Sequence, residues 1–247
     1  MPIPYVAKPS TTHFRVPRTL AADFDAFLEH DIPNTVMDFE VVQDWYDKLK
    51  DGYEPRYVRG EIYPDATKSR YENTDNNMNI RCSLTSGIRK GDMVVNPDGV
   101  IYLLDWGVIK ESNNAMSRAL RCNLLLNVKR FYTDEDLYNE NGYRMERQES
   151  PYLEIAAPIP CNAYRYDGRP EYSAISGTPG VTPSALTLLS VQYNDSTKNI
   201  RIDDIFDWAD ETYRIIDIDR VGVDINGEWG VLKLQAKKAE GGLHGYE

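Results

Sequence analysis

The segment GIRKGDMVVNPDGVIYLLDW, residues 87–106, brings Lys90, Asp92 and Asp98 into one short stretch of chain. A lysine beside carboxylates can work as an acid–base pair or, once deprotonated, as a nucleophile. In DIDRVGVDING, residues Asp217, Asp219, Asp224 and Asn226 offer the oxygen ligands that calcium takes. Asp105 with Glu111, and Asp207 with Asp210, are carboxylate pairs of the kind that glycoside hydrolysis uses across a cleft.

Each of these has a competing structural reading. The acidic run lacks the glycine and terminal glutamate spacing of an EF-hand loop, and Ile216, Ile218, Val221, Val223 and Ile225 alternate as a strand does. Solvated strand faces and a turn at Asn226-Gly227 therefore account for it better than a cation site. DDIFDWADE, a second acidic cluster, reads the same way. His13, His30 and His244 are scattered, with neither metal-ligand spacing nor a triad pattern. No phosphate-binding glycine loop of either common type occurs. Cys82, Cys122 and Cys161 are odd in number and far apart, which fits free thiols rather than a disulfide framework. The expectation is a protein without enzymatic activity, metal or cofactor.

A repeat bears directly on Asp92. Ile88-Arg89-Lys90-Gly91-Asp92-Met93 aligns with Ile200-Arg201-Ile202-Asp203-Asp204-Ile205, and each copy leads through a turn into a tyrosine-led apolar strand, at Tyr102 and Tyr213. Either β-hairpins resemble each other by chance or a β-unit has been duplicated. In the second case Asp92 and Asp204 are predicted to hold their adjoining turns by side-chain hydrogen bonds. Lys90 has no counterpart, since Ile202 stands in its place. Asn96-Pro97-Asp98-Gly99 suits a tight reversal, with Asp98 and Gly99 as its turn residues.

The elements that carry these residues read as mainly β: two related small antiparallel β-barrel or sandwich units with an N-terminal helical segment. Residues 1–18 hold four prolines and form an extended arm. Residues 19–52 show helical spacing, first at Leu20, Phe24, Phe27 and Leu28, then at Val41, Val42, Trp45, Tyr46 and Leu49. From residue 56 the period changes to two, giving a first barrel unit over 56–131. Residues 132–185 read as an irregular linker and long loop, 186–238 as the second unit and 239–247 as a tail.

A formal charge of −11 argues against a surface that grips phosphates, which needs clustered lysine and arginine. Apolar runs such as VIYLL fall far short of the roughly 20 residues of a membrane-spanning helix, so no membrane partner is expected. Seventeen tyrosines and four tryptophans are more prominent than any ionisable group, and aromatics anchor protein interfaces. Met116, Tyr166, Tyr172 and Ile175, in or beside the polar stretches IKESNNAMSRA and RYDGRPEYSAISGTPGVTPSA, are the expected interface anchors.

The succession SGIRKGDMVVNPDGVIYLLDW and RCNLLLNVKRF, echoed by NIRIDDIF, TYRIIDIDRV and GVLKLQAKK, resembles the small β-barrels of tailed-bacteriophage head-closure (stopper) proteins and related head–tail connectors. That resemblance implies a structural virion protein, assembled in the host bacterial cytoplasm, that forms a homo-oligomeric ring in the neck. Its neighbours there would be the portal or its adaptor and the tail proteins. The ring would help retain packaged DNA and later release it, with DNA passing through the channel without sequence-specific binding. A tail or baseplate component is the alternative, and a carboxylate-dependent hydrolase on a β-scaffold a more distant one.

Overall fold

The computed structural model describes residues 36–64, 77–110, 114–131, 152–166 and 186–239. They build two closed antiparallel six-strand barrels. The first contains β1 (Val36–Val42), β2 (Arg56–Pro64), β3 (Asn77–Cys82), β4 (Met93–Val95), β5 (Ile101–Leu104) and β7 (Ala115–Arg121), with the two-residue β6 (Ile109–Lys110) flanking β7. Around the ring the order is β1-β2-β3-β7-β5-β4, closed by the β1–β4 pairing. The second contains β8 (Leu124–Phe131), β9 (Tyr152–Tyr166), β10 (Leu186–Tyr193), β11 (Ile205–Trp208), β12 (Glu211–Asp219) and β13 (Gly230–Lys238), in the order β8-β9-β10-β13-β12-β11. If β1 is set on β8, every barrel-forming strand finds its equivalent, with only the short β6 left over, and both circuits coincide. The duplication read from two short motifs thus extends to whole-barrel connectivity.

The first barrel begins earlier than its alternation suggests. VMDFEVV was expected within a helical segment, yet it forms β1, with Phe39 and Val41 buried inside the barrel and Asp38 facing solvent. Helical spacing at Val42, Trp45 and Tyr46 has another cause: all three pack onto the core of the second barrel. Only one helical turn, α1 (Trp45–Lys48), follows, capped by Asp44, whose carboxylate accepts the Tyr46 amide at 3.0 Å. The expected arm and the helix over 20–28 lie outside the described residues, as does the tail beyond residue 239.

The boundary between units also differs from the expected one. β8 and part of the stretch assigned to the linker, β9, are strands of the second barrel. ALRCNLLLNVKRF reads as one apolar strand, but the chain changes barrels between adjacent residues: Cys122 donates its amide to Ile101, and Asn123 donates to Cys161. Asn123 then pairs its side-chain amide with the Ala163 backbone, giving 2.7 Å and receiving 2.8 Å, and so extends the ladder by one side chain.

Strands β4 and β5 are apolar on both faces, which explains their unbroken hydrophobic runs. Val94, Tyr102 and Leu104 point into the first barrel. Met93 and Leu103, with Val42, point outward and join the core that fills the second barrel. One hydrophobic cluster therefore crosses the boundary between the duplicated units.

Candidate functional site

Asp92 is almost wholly buried, and its oxygens accept the Arg89 amide at 3.0 Å and the Arg89 Nε at 3.1 Å. Its backbone carbonyl meanwhile accepts the Leu104 amide at 2.9 Å. Burial pushes the carboxyl up to about 6, against the opposing pull of the Arg89 hydrogen bonds. Asp204 repeats the arrangement. It accepts the Arg201 amide at 2.7 Å, and its carbonyl takes the Ile215 amide at 2.8 Å. The side-chain cation differs, because Arg130 from β8 closes a two-point fork on Asp204 at 2.6 and 2.9 Å. Both carboxylates are committed to turn geometry and ion pairing.

Lys90 lies beside Gly222 where the barrels meet. Partial burial holds its amine below the usual lysine range, while Asp105 and Asp219 pull it upward and Lys233 lowers it further. At the next turn, Asn96 does most of the work expected of Asp98. It accepts the Val100 amide on its side chain at 2.7 Å and the Gly99 amide on its carbonyl at 2.9 Å, while Asp98 is only 3.5 Å from the Asn96 amide nitrogen. Gly99 supplies the left-handed φ of 79°.

Of the remaining candidate carboxylates, Asp210 is exposed at the turn between β11 and β12, and five others are engaged. Asp105 is buried and receives Arg118 at two points, 2.8 and 2.5 Å. Asp207 takes Lys129 and Thr212, whose hydrogen bonds hold its carboxyl below the usual range. Asp224 accepts the amides of Asn226, Glu228 and Trp229, and Asp219 accepts that of Val221. Asp217 takes the Gln235 side chain. Among the described residues no group of three metal-ligating side chains converges, and Glu111 and the three histidines fall outside them.

Two kinds of residue had no signal in the sequence reading. The first is the polar seam between barrels. Gln192 is fully buried, donating to the carbonyls of Gly91 at 2.7 Å and Gln43 at 3.1 Å and accepting the Trp45 amide at 2.8 Å. Asn162 donates to Arg121, Asn194 to Asp44, and the Tyr46 hydroxyl to Ala157. Burial and the nearby Asp44 push that tyrosine up to about 12. The Arg89 guanidinium also stacks 5.3 Å from the Trp229 ring.

The second kind is exposed and apolar, namely Trp106, Ile109, Val221 and Ile225, the first two of which neighbour one anchor that was expected. Met116, an expected anchor, sits half-buried on β7, where the Tyr63 hydroxyl approaches its sulfur at 3.2 Å and Ile109 pairs with it across β6. Trp106 stands nearby, its carbonyl bonded by Ser117 and its ring under Arg118 at 5.1 Å. On the second barrel, Val221 and Ile225 project from the hairpin between β12 and β13. Of the other expected anchors, Tyr166 ends β9 with its side chain undescribed, and Tyr172 and Ile175 lie outside the described residues. No family model, curated protein or solved structure matches the chain.

Proposed function

We propose that this chain is a structural protein of a tailed-bacteriophage virion, forming a ring in the neck between the portal or adaptor and the tail. The observation that carries the reading is the tandem barrel itself. Two closed barrels of the same connectivity share a hydrophobic core and a buried polar seam, so the described residues form one continuous block. Asp105 and Asp207, one from each carboxylate pair weighed for hydrolysis, are spent on Arg118 and on Lys129 with Thr212. A net charge of −11 suits a channel wall past which DNA slides without tight phosphate contacts.

Electron microscopy of virions with a labelled chain tests the position, and the label is expected as a ring at the head–tail junction. Absence of the chain from particles defeats the reading. Because duplicated barrels also suit a tail or baseplate hub, deletion separates the two. Loss of a neck protein leaves heads that leak DNA beside free tails, whereas loss of a baseplate part leaves sealed heads without tails.

A further inference from the structure

The chain changes barrels at Cys122, and the residues on both sides of that cysteine are tied to β9. Asn123 donates its amide to the Cys161 carbonyl at 3.0 Å, and the Asn162 side chain donates to the Arg121 carbonyl at 2.7 Å. Leu124 is the registered partner of Cys161, so Asn123 and Leu124 both oppose that one residue, as in a β-bulge. Cys122 therefore stands one step from opposition to Cys161 rather than two. Disulfides span Cα separations of about 4.4 to 6.8 Å, and opposed residues of paired strands lie about 4.5 to 5.5 Å apart.

Both side chains enter one apolar region. Cys161 is wholly buried in the core of the second barrel, and Cys122 packs against that core while keeping part of its surface exposed. Burial pushes the Cys122 thiol up to about 12 and Cys161 well above its ordinary value, and the neighbouring Cys122 raises Cys161 further. Two interacting thiols, one of them open to solvent, suit the parts of an entry thiol and a resolving thiol. Cys82 differs on both counts, being wholly buried in the separate core of the first barrel, where no second cysteine lies.

We propose that Cys122 and Cys161 are a redox-sensitive pair whose disulfide staples the junction between the barrels. The oxidant is a low-molecular-weight disulfide such as oxidised glutathione. Cys122 loses its proton to solvent and its thiolate attacks one sulfur of the oxidant, whose S–S bond breaks. A mixed disulfide forms, and the glutathione thiolate released takes up a proton. The Cys161 thiolate, its proton likewise lost to solvent, attacks the Cys122 sulfur, forming the Cys122–Cys161 bond and expelling the second glutathione, which is protonated in turn. Two protein thiols are thus oxidised by two electrons, and one disulfide is reduced to two thiols. Scarcity of thiolate makes the exchange slow at neutral pH, so the pair answers to a sustained change of medium.

Closure has a structural consequence. The Cys122 amide donates to the Ile101 carbonyl on β5 at 2.8 Å, so the bond fastens a ladder of the first barrel directly to β9 of the second. It also closes a loop that runs through β8, which restricts the unfolded chain. The pair belongs to the chain itself, in whatever assembly the chain takes part.

The test incubates the folded full chain with oxidised glutathione at mildly alkaline pH, then denatures it, counts thiols by alkylation and maps the peptides by mass. The three free thiols should fall to one, at Cys82, with a Cys122–Cys161 link inside single chains, and dithiothreitol should restore all three. The oxidised chain should unfold at higher urea than the reduced chain. Cys122→Ser, a change at a partly exposed site, should acquire neither the link nor the shift. Cys161→Ala repeats that control from the buried side, and if it fails to fold, the wild-type peptide map and Cys122→Ser still decide. Three thiols left free, a link that includes Cys82 or joins two chains, or oxidation that stops at a glutathione adduct on Cys122 each overturn the pair. A Cys122–Cys161 bond that leaves the urea midpoint unmoved overturns the staple.

Discussion

The side chain of Gln192, on the second barrel, donates to the carbonyl of Gly91 on the first at 2.7 Å, with no solvent exposure. The same side chain serves Gln43 and Trp45, so one residue satisfies three backbone groups at the junction. Replacing it by Ala strands those groups. Leaving buried backbone polar groups unpaired costs roughly 1–3 kcal/mol each, and water entering the space recovers part of that, so a loss of about 3 kcal/mol is expected for Gln192→Ala. Urea unfolding measures it, and a change below about 1 kcal/mol would show that the seam contributes little.

Gly91 and Asp203 occupy equivalent places before the two repeated aspartates, and both are left-handed, at φ 92° and 73°. Their tolerance should nevertheless differ. A Cβ on Gly91 would land on the Gly230 backbone of the other barrel. Asp203 is exposed, with only a 3.8 Å approach from Arg214. Gly91→Ala is predicted to destabilise by more than about 2 kcal/mol, while Asp203→Gly stays within about 1 kcal/mol of wild type. Thermal melts of the two variants check the contrast, and equal effects would refute the junction as its cause.

The Asp92 carboxyl gives a pH signature of defined sign. Its folded value, about 6, lies above the ordinary 3.8, so the folded chain holds that proton to higher pH than the unfolded chain does. Stability contributed by the neutral form is complete below the ordinary value and is lost as pH rises through about 6, by roughly 3 kcal/mol at most. Asp92→Asn cannot titrate, yet it keeps an oxygen for the Arg89 amide. Denaturant unfolding between pH 4 and 7 should show wild type losing stability relative to the variant as pH rises. A constant difference across that range would place the titration elsewhere.

What was legible in the sequence follows from the range of the interaction. Asp92 and Asp204 could be found because each holds an amide three residues away, so the requirement is written locally. β1 was missed because Val42, Trp45 and Tyr46 answer to the second barrel, and their spacing imitates one face of a helix. The barrel boundary was missed because no composition change marks Cys122-Asn123, where the chain changes hydrogen-bond partners. Ile225 was hidden by an alternation that looked like a strand, though the residue lies at a hairpin tip. Gln192 could not have been found, because a buried glutamine in a strand is recognised only by the backbone groups it meets.

The shared core predicts that the barrels unfold together despite their separate closures. Cys82 is buried in the first barrel and Cys161 in the second, and burial raises both thiols, Cys82 to about 12 and Cys161 well above its ordinary value. Thiolate, the form that reacts with alkylating reagents, is therefore scarce at both sites while the chain is folded. Val42, Met93 and Leu103 belong to strands of the first barrel but lie in the core of the second, so opening either barrel exposes part of the other. Pulsed alkylation across a urea series should label Cys82 and Cys161 with one midpoint. Gln192→Ala should lower that midpoint without splitting it, because the apolar continuity through Met93 and Leu103 remains. Two separated midpoints in the wild-type chain would show that the barrels fold as independent units and that their common core does not couple them.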